Sequence, residues 1–277
     1  MISTLISFVA LVQSAELRPG EAFLRTLDAL PVIRADDRVK AQEGIAALGK
    51  SQWSVAFGIC QDLDSIYGAF VMRAGDAGTI VIRPANGEGV ADPAVLLRRD
   101  FVMEMATLRL YVLDVDGALR DLAPPAGGKD ETSYMRVSAL ARKGNFAGAI
   151  ELLKTVELRR VAGAWVVREK DALALVEIYQ LAQANAMEDR LRLHEIAFAM
   201  PQGSALLPDP RGAPHAGSVI QHEATLLLAE LSARDKNIGL AKSYLQHILR
   251  DKSPEGVFYR RLANAYLAKF ASGKPIT

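Results

Sequence analysis

Cysteine is almost missing from this chain of 277 residues, with Cys60 the only one. An internal disulfide is thereby excluded, and so is a metal site built from several thiolates. With no local His pattern to mark it as a nucleophile, Cys60 reads as a small buried hydrophobe. A charge bias is missing as well: 33 Lys and Arg face 32 Asp and Glu, for a net charge of +1. That balance, with no basic stripe interleaved by aromatics, gives no electrostatic reason to expect nucleic acid or an anionic membrane. The apolar segment at residues 1–12 is too short to cross a bilayer as a helix, so no integral membrane span is expected. Gly-x-Ser-x-Gly, phosphate-loop and dinucleotide fingerprints are all absent.

What is present is ordinary globular material. Half of the residues are hydrophobic and 23% are charged, which suits one large domain or two smaller ones rather than a disordered chain. Residues 1–12, MISTLISFVALV, precede Ser14 and Ala15 and then the charged Glu16 and Arg18. This is the shape of a secretory h-region and cleavage site, so residues 1–15 are expected to be a signal peptide. The expected setting is a bacterial periplasm or the outside. A first helix packed on the core is the other reading, because no Lys or Arg precedes the run, and it leaves a cytoplasmic location as the alternative.

Residues 16–122 are expected to form an α+β domain with antiparallel strands. Phe23, Leu24, Leu27 and Leu30 recur at helical spacing before Pro31, and Asp36 is placed to cap a second helix running to Leu48 and Gly49. Aromatic and β-branched residues at 67–73 and 79–83, separated by Gly75-Asp76-Ala77-Gly78, predict a β-hairpin. Residues 84–93 read as a Gly/Pro/Asn loop and 94–104 as a short helix. Residues 108–115 read as a third strand, with Asp116-Gly117 turning into 118–122. Residues 123–129, Ala-Pro-Pro-Ala-Gly-Gly-Lys, have the composition of a linker.

Beyond the linker, 130–277 reads as helical, broken by residues 160–168 and by a Pro- and Gly-rich stretch at 201–218. Two segments, 134–156 and 225–249, share one frame of two short helices around a tight turn. Gly144 aligns with Lys236, Phe146 with Ile238, Ala149 with Ala241, Leu153 with Leu245 and Val156 with Ile248. Small side chains at 149 and 241 would let paired helices approach, and Gly144 would supply φ > 0 in the turn. Residues 171–200 supply an intervening pair with His194 at the small-residue position, and 257–270 read as a terminal capping helix. The frame resembles the tetratricopeptide repeat. That resemblance implies an all-α solenoid of stacked helical hairpins, with Gly144, Phe146, Ala149, Leu153, Ile238, Ala241 and Leu245 as repeat-packing residues.

Few motifs carry chemistry. Residues 111–119, an apolar stretch running into Asp114-Val115-Asp116-Gly117, resemble the first motif of haloacid-dehalogenase-type phosphatases. The resemblance implies a nucleophile at Asp114, a general acid at Asp116, and Mg²⁺. The sequence downstream offers helices and no strand ending in a further acidic pair, so an Asp-Gly hairpin turn is the favoured reading. His194-Glu195 and His222-Glu223 each lack a second His four residues on, as a zinc-protease helix requires. His215 and the other histidines read as surface, capping or packing residues. Asp62 and Asp64 read as solvated loop carboxylates, and Trp53 and Trp165 as core anchors.

No catalytic, cofactor-binding or metal-ligating residue is therefore assigned. The expected function is a non-enzymatic scaffold that holds a protein or peptide on the inner surface of stacked helices. A metal-dependent hydrolase centred on Asp114 and Asp116 is one alternative, and a structural assembly component is the other.

Overall fold

The computed structural model describes residues 18–29, 33–67, 71–74, 79–82, 95–123, 133–155, 169–200, 218–253 and 256–272. The signal-like segment 1–15, the loop 84–93, residues 160–168 with Trp165, and all but Ser218 of 201–218 lie outside them. So does the expected linker beyond Ala123. The chain divides into two compact units, 1–112 and 113–277.

In the first unit, α1 (Glu21–Ala29), α2 (Ala35–Gly49), α3 (Trp53–Tyr67) and α4 (Arg98–Tyr111) pack consecutively. Phe23, Leu24 and Leu27 are fully buried on α1, as their helical spacing dictates. Phe23 meets Phe101 of α4 with ring centroids 4.5 Å apart, and Trp53 meets Tyr111 at 5.3 Å. Gly44 permits a close crossing of α1 and α2, since a Cβ there would stand 2.7 Å from Leu24 Cδ1. Helix α2 begins after Arg34 rather than at Asp36. The buried Asp37 in its first turn accepts from Arg34 Nε at 2.6 Å and from Tyr67 Oη at 2.8 Å.

The α+β fold with antiparallel strands expected for residues 16–122 is overturned. Among the residues whose side chains are described, every regular element is a helix. Backbone ladders join three short segments, β1 (Val71–Ala74), β2 (Thr79–Ile82) and β3 (Val95–Leu97), in antiparallel order β1-β2-β3. Residues 108–111 belong to α4 instead of a strand. The physical reason is visible over a longer window: Phe101, Met105 and Leu108 are all buried, which is a helical i, i+4, i+7 face that an eight-residue window hides.

The second unit opens with α5 (Val115–Asp121), which corrects the Asp-Gly hairpin. Asp114 is an N-cap, accepting from Gly117 N at 3.0 Å. Then come α6 (Ser133–Lys143), α7 (Phe146–Thr155), α8 (Glu169–Ala184), α9 (Met187–Ala197), α10 (Val219–Arg234), α11 (Ile238–Leu249) and α12 (Val257–Ala271). Each packs on the next, and α8, α10 and α12 also pack side by side. The result is a row of antiparallel pairs, α6/α7, α8/α9 and α10/α11, with α12 at the end. Helix α10 is covered all round, and every residue from His222 to Ser232 is buried.

Candidate functional site

The turns fix how the pairs are set. Gly144 has φ 79°, and its N–H donates to Ala141 O at 2.9 Å while Asn145 N donates to Leu140 O at 2.9 Å. Lys236 has φ 63°, with Lys236 N to Ala233 O at 3.0 Å and Asn237 N to Ser232 O at 2.9 Å. Both are Schellman motifs. Each is followed by an Asn cap: Asn145 Oδ1 accepts from Gly148 N at 3.0 Å and Asn237 Oδ1 from Leu240 N at 3.1 Å. The recurring Asn was a signal in the sequence that the alignment of apolar positions passed over. In the middle pair, Asn185 takes φ 54° and Ala186 stands at the cap position. Counting five residues from the left-handed residue, as from Gly144 to Ala149, places Arg190 rather than His194 at the small-residue position.

The repeat-packing residues sit at these pairs. Ala149 and Ala241 are wholly buried, Phe146, Leu153 and Leu245 nearly so, and Ile238 is half-buried. Phe146 stacks on Tyr179 of α8 at 6.1 Å and lies 5.9 Å from the Arg234 guanidinium.

The most unusual chemistry lies where the first helices of the pairs converge. Arg142 of α6 is buried and reaches Glu223 of α10 through both terminal nitrogens, Nη2 to Oε1 at 2.5 Å and Nη1 to Oε2 at 3.4 Å. Tyr179 Oη of α8 donates to Glu223 Oε1 at 3.1 Å. Two turns along α10, Glu230 Oε1 accepts from Tyr266 Oη of α12 at 2.6 Å. Arg142 Nε lies 2.9 Å from the same oxygen but is not aligned for a hydrogen bond. Glu230 Oε2 has no hydrogen-bond partner among the described residues, and neither has the buried Ser138 Oγ one turn before Arg142. Burial pushes the Glu230 carboxyl up from its ordinary value, against the pull of Arg142. Burial also acts against the charge of Arg142, yet Glu223 and Glu230 together hold its pKa well above the usual value. Two carboxyls thus share one guanidinium away from water, a costly arrangement unless one of them is neutral. Nothing in the sequence marks this junction, because Arg142, Glu223 and Glu230 have the pattern of ordinary solvated helix charges.

Two further clusters involve the histidines. His194 of α9 sits against Phe198 at 4.5 Å and Tyr244 of α11 at 5.8 Å, with Phe198 4.8 Å from His247. Its Nδ1 is buried without a partner among the described residues, and burial followed by the nearby His247 lowers its pKa to about 4. His222 Nε2 lies 2.7 Å from Asp251 Oδ2, and the same carboxylate accepts from Ser253 N at 2.7 Å and Ser253 Oγ at 2.5 Å. Burial opposes ionisation of Asp251, but the Ser253 bonds and His222 bring its carboxyl down to about 2. The hydroxyl of Ser253 faces the carboxylate rather than the imidazole, so this triad is a clamp at the start of α12 and not a nucleophile arrangement.

The two aspartates of the hydrolase alternative are each engaged in a structural contact. Asp114 caps α5, and Asp116 is exposed and pairs with Lys143 Nζ at 2.6 Å. Burial raises the Cys60 thiol to about 12, followed by the effects of Glu104 and Asp64, far from the range of a reactive thiolate. Among the described residues no group of three or more His, Cys, Asp and Glu side chains is placed to hold a metal ion, and no helix is long and apolar enough to cross a membrane. The chain matches no family model, no curated protein and no solved structure.

Proposed function

We propose that the second unit is a non-enzymatic protein-binding scaffold of tetratricopeptide-like helix pairs. The binding face lies on the outside of the α8/α9 pair rather than on the inner surface. The inner-facing Arg142, Tyr179, Glu223, Glu230 and Tyr266 are engaged with one another. The observation that carries the reading is where large apolar side chains remain exposed. Of five among the described residues, Leu173, Met187 and Leu191 belong to this one pair, and Met187 is 77% exposed. Met187 and Leu191 are one turn apart on α9 and present a common edge to a partner.

The test is site-specific photocrosslinking in the full chain, with the probe at position 187 or 191 and, for comparison, at the exposed position 154. Partner adducts at 187 and 191 that vanish in Met187→Glu/Leu191→Glu support the reading. Equal adducts at 154, or adducts untouched by the two charges, defeat it.

A further inference from the structure

The junction of α6, α8, α10 and α12 holds two carboxyls against one guanidinium. Glu223 engages both terminal nitrogens of Arg142 and the Tyr179 hydroxyl. Glu230 is placed differently. Its Oε1 receives the Tyr266 hydroxyl and lies against Arg142 Nε, while its Oε2 meets no donor among the described residues. A buried carboxylate oxygen with no donor is costly, whereas a carboxylic acid places its proton on that oxygen and keeps Oε1 as acceptor. A proton on Glu230 spares the junction a bare carboxylate beside the Arg142–Glu223 pair.

We propose that Glu230 is a buried proton-holding latch: the protonated acid closes the junction, and loss of that proton leaves a buried carboxylate whose bare oxygen needs water, so that ionisation favours opening of α12 from α10. The groups acting on Glu230 are Arg142 from α6, Tyr266 from α12, and Glu223 and Arg234 of α10 itself. Tyr179 of α8 joins through Glu223. Deprotonation adds a carboxylate seven residues and two turns along α10 from Glu223, where the Arg142 guanidinium is already engaged by Glu223. The packing of α12 on α10 is the contact whose opening would admit water to that charge. Tyr266 bridges it directly, and α12 is the last helix of the row.

The direction follows from the raised carboxyl. Its stabilising contribution is complete below the unfolded-state value near 4.5 and is lost as pH rises through the folded value. Hydrogen exchange of the full chain, resolved to peptides of α12 and compared between wild type and Glu230→Gln, tests this across pH 5 to 9. In wild type, α12 opening is expected to rise by up to about tenfold per pH unit beyond the chemical exchange rate until the acid is titrated. Glu230→Gln, neutral and nearly isosteric, is expected to flatten that rise. Parallel profiles for the two proteins overturn the proposal. Should the variant fail to fold, infrared spectroscopy of the wild type decides. A buried protonated-carboxyl stretch that persists above pH 5 and disappears as α12 loosens supports the latch, and its absence overturns it.

Discussion

Gly144 and Lys236 occupy the same place in two helix pairs, each left-handed and each closing a Schellman motif onto an Asn cap. Glycine adopts that backbone without steric cost, whereas a lysine Cβ crowds its own carbonyl. Lys236→Gly is expected to stabilise the chain by up to about 1 kcal/mol, the strain relieved exceeding the extra unfolded-state freedom. Gly144→Ala is expected to destabilise it. Besides the backbone cost, a Cβ at 144 would stand 2.9 Å from Arg234 Nη2. Urea unfolding of both variants checks the opposite signs.

The helix pairs of the second unit were legible because their signals are local. Gly144, Asn145 and the apolar positions after them act within a few residues, and the same is true at 236–238. The middle pair hides its frame because its turn uses Asn185 and Ala186, which puts Arg190 rather than His194 at the small-residue position. In the first unit, the short window at 108–115 showed aromatic and aliphatic residues and hid the face formed by Phe101, Met105 and Leu108. The buried junction was not legible at all. Arg142 and Glu223 are 81 residues apart, and nothing in the pattern of either helix marks a charge as interior. Only the tertiary convergence of four helices takes them out of water.

Arg142 shows how strongly the junction is coupled. Arg142→Met removes the cation from between two carboxyls and is expected to cost about 3–5 kcal/mol, the usual penalty for breaking a buried pair. Replacing all three, as Arg142→Met/Glu223→Gln/Glu230→Gln, is expected to recover most of that loss, because no uncompensated charge remains. Chemical denaturation of the single and triple variants checks this. Additive losses across the substitutions would mean that the three side chains act independently.

His194 gives acid sensitivity on a separate axis. The unfolded imidazole takes up its proton near the ordinary value of 6.5, and the folded one only near 4. The unfolded state therefore binds more protons between these values, so stability is full above pH 6.5 and declines as pH falls toward 4. The decline amounts to about 3 kcal/mol at most. His194→Phe keeps the aromatic contacts with Phe198 and Tyr244 without the titrating group. The variant is expected to gain on wild type in melting temperature from pH 6.5 down to 4 and to hold a constant offset above 7. Thermal melts across that range measure it.

Gly256 and Gly239 are two glycines whose replacement by alanine is expected to have opposite effects. At Gly256 a Cβ would fall 1.8 Å from Asp251 Oδ2 and 2.8 Å from Arg260 Nη1. Asp251 cannot yield without giving up His222 or Ser253, since the buried carboxylate is held by both. Gly256→Ala is therefore expected to cost about 2 kcal/mol or more through the broken clamp, and α12 is expected to lose protection in hydrogen exchange. At Gly239, in the first turn of α11, the nearest atom to an added Cβ is Asn237 Oδ1 at an ordinary 3.9 Å. Gly239→Ala meets no obstacle and gains helix propensity, for an expected stabilisation of up to about 1 kcal/mol. A clash that falls on a charged, triply held carboxylate decides the sign at 256, and open space decides it at 239. Equal effects of the two substitutions in urea titrations would remove the clamp from the account of how α12 is docked.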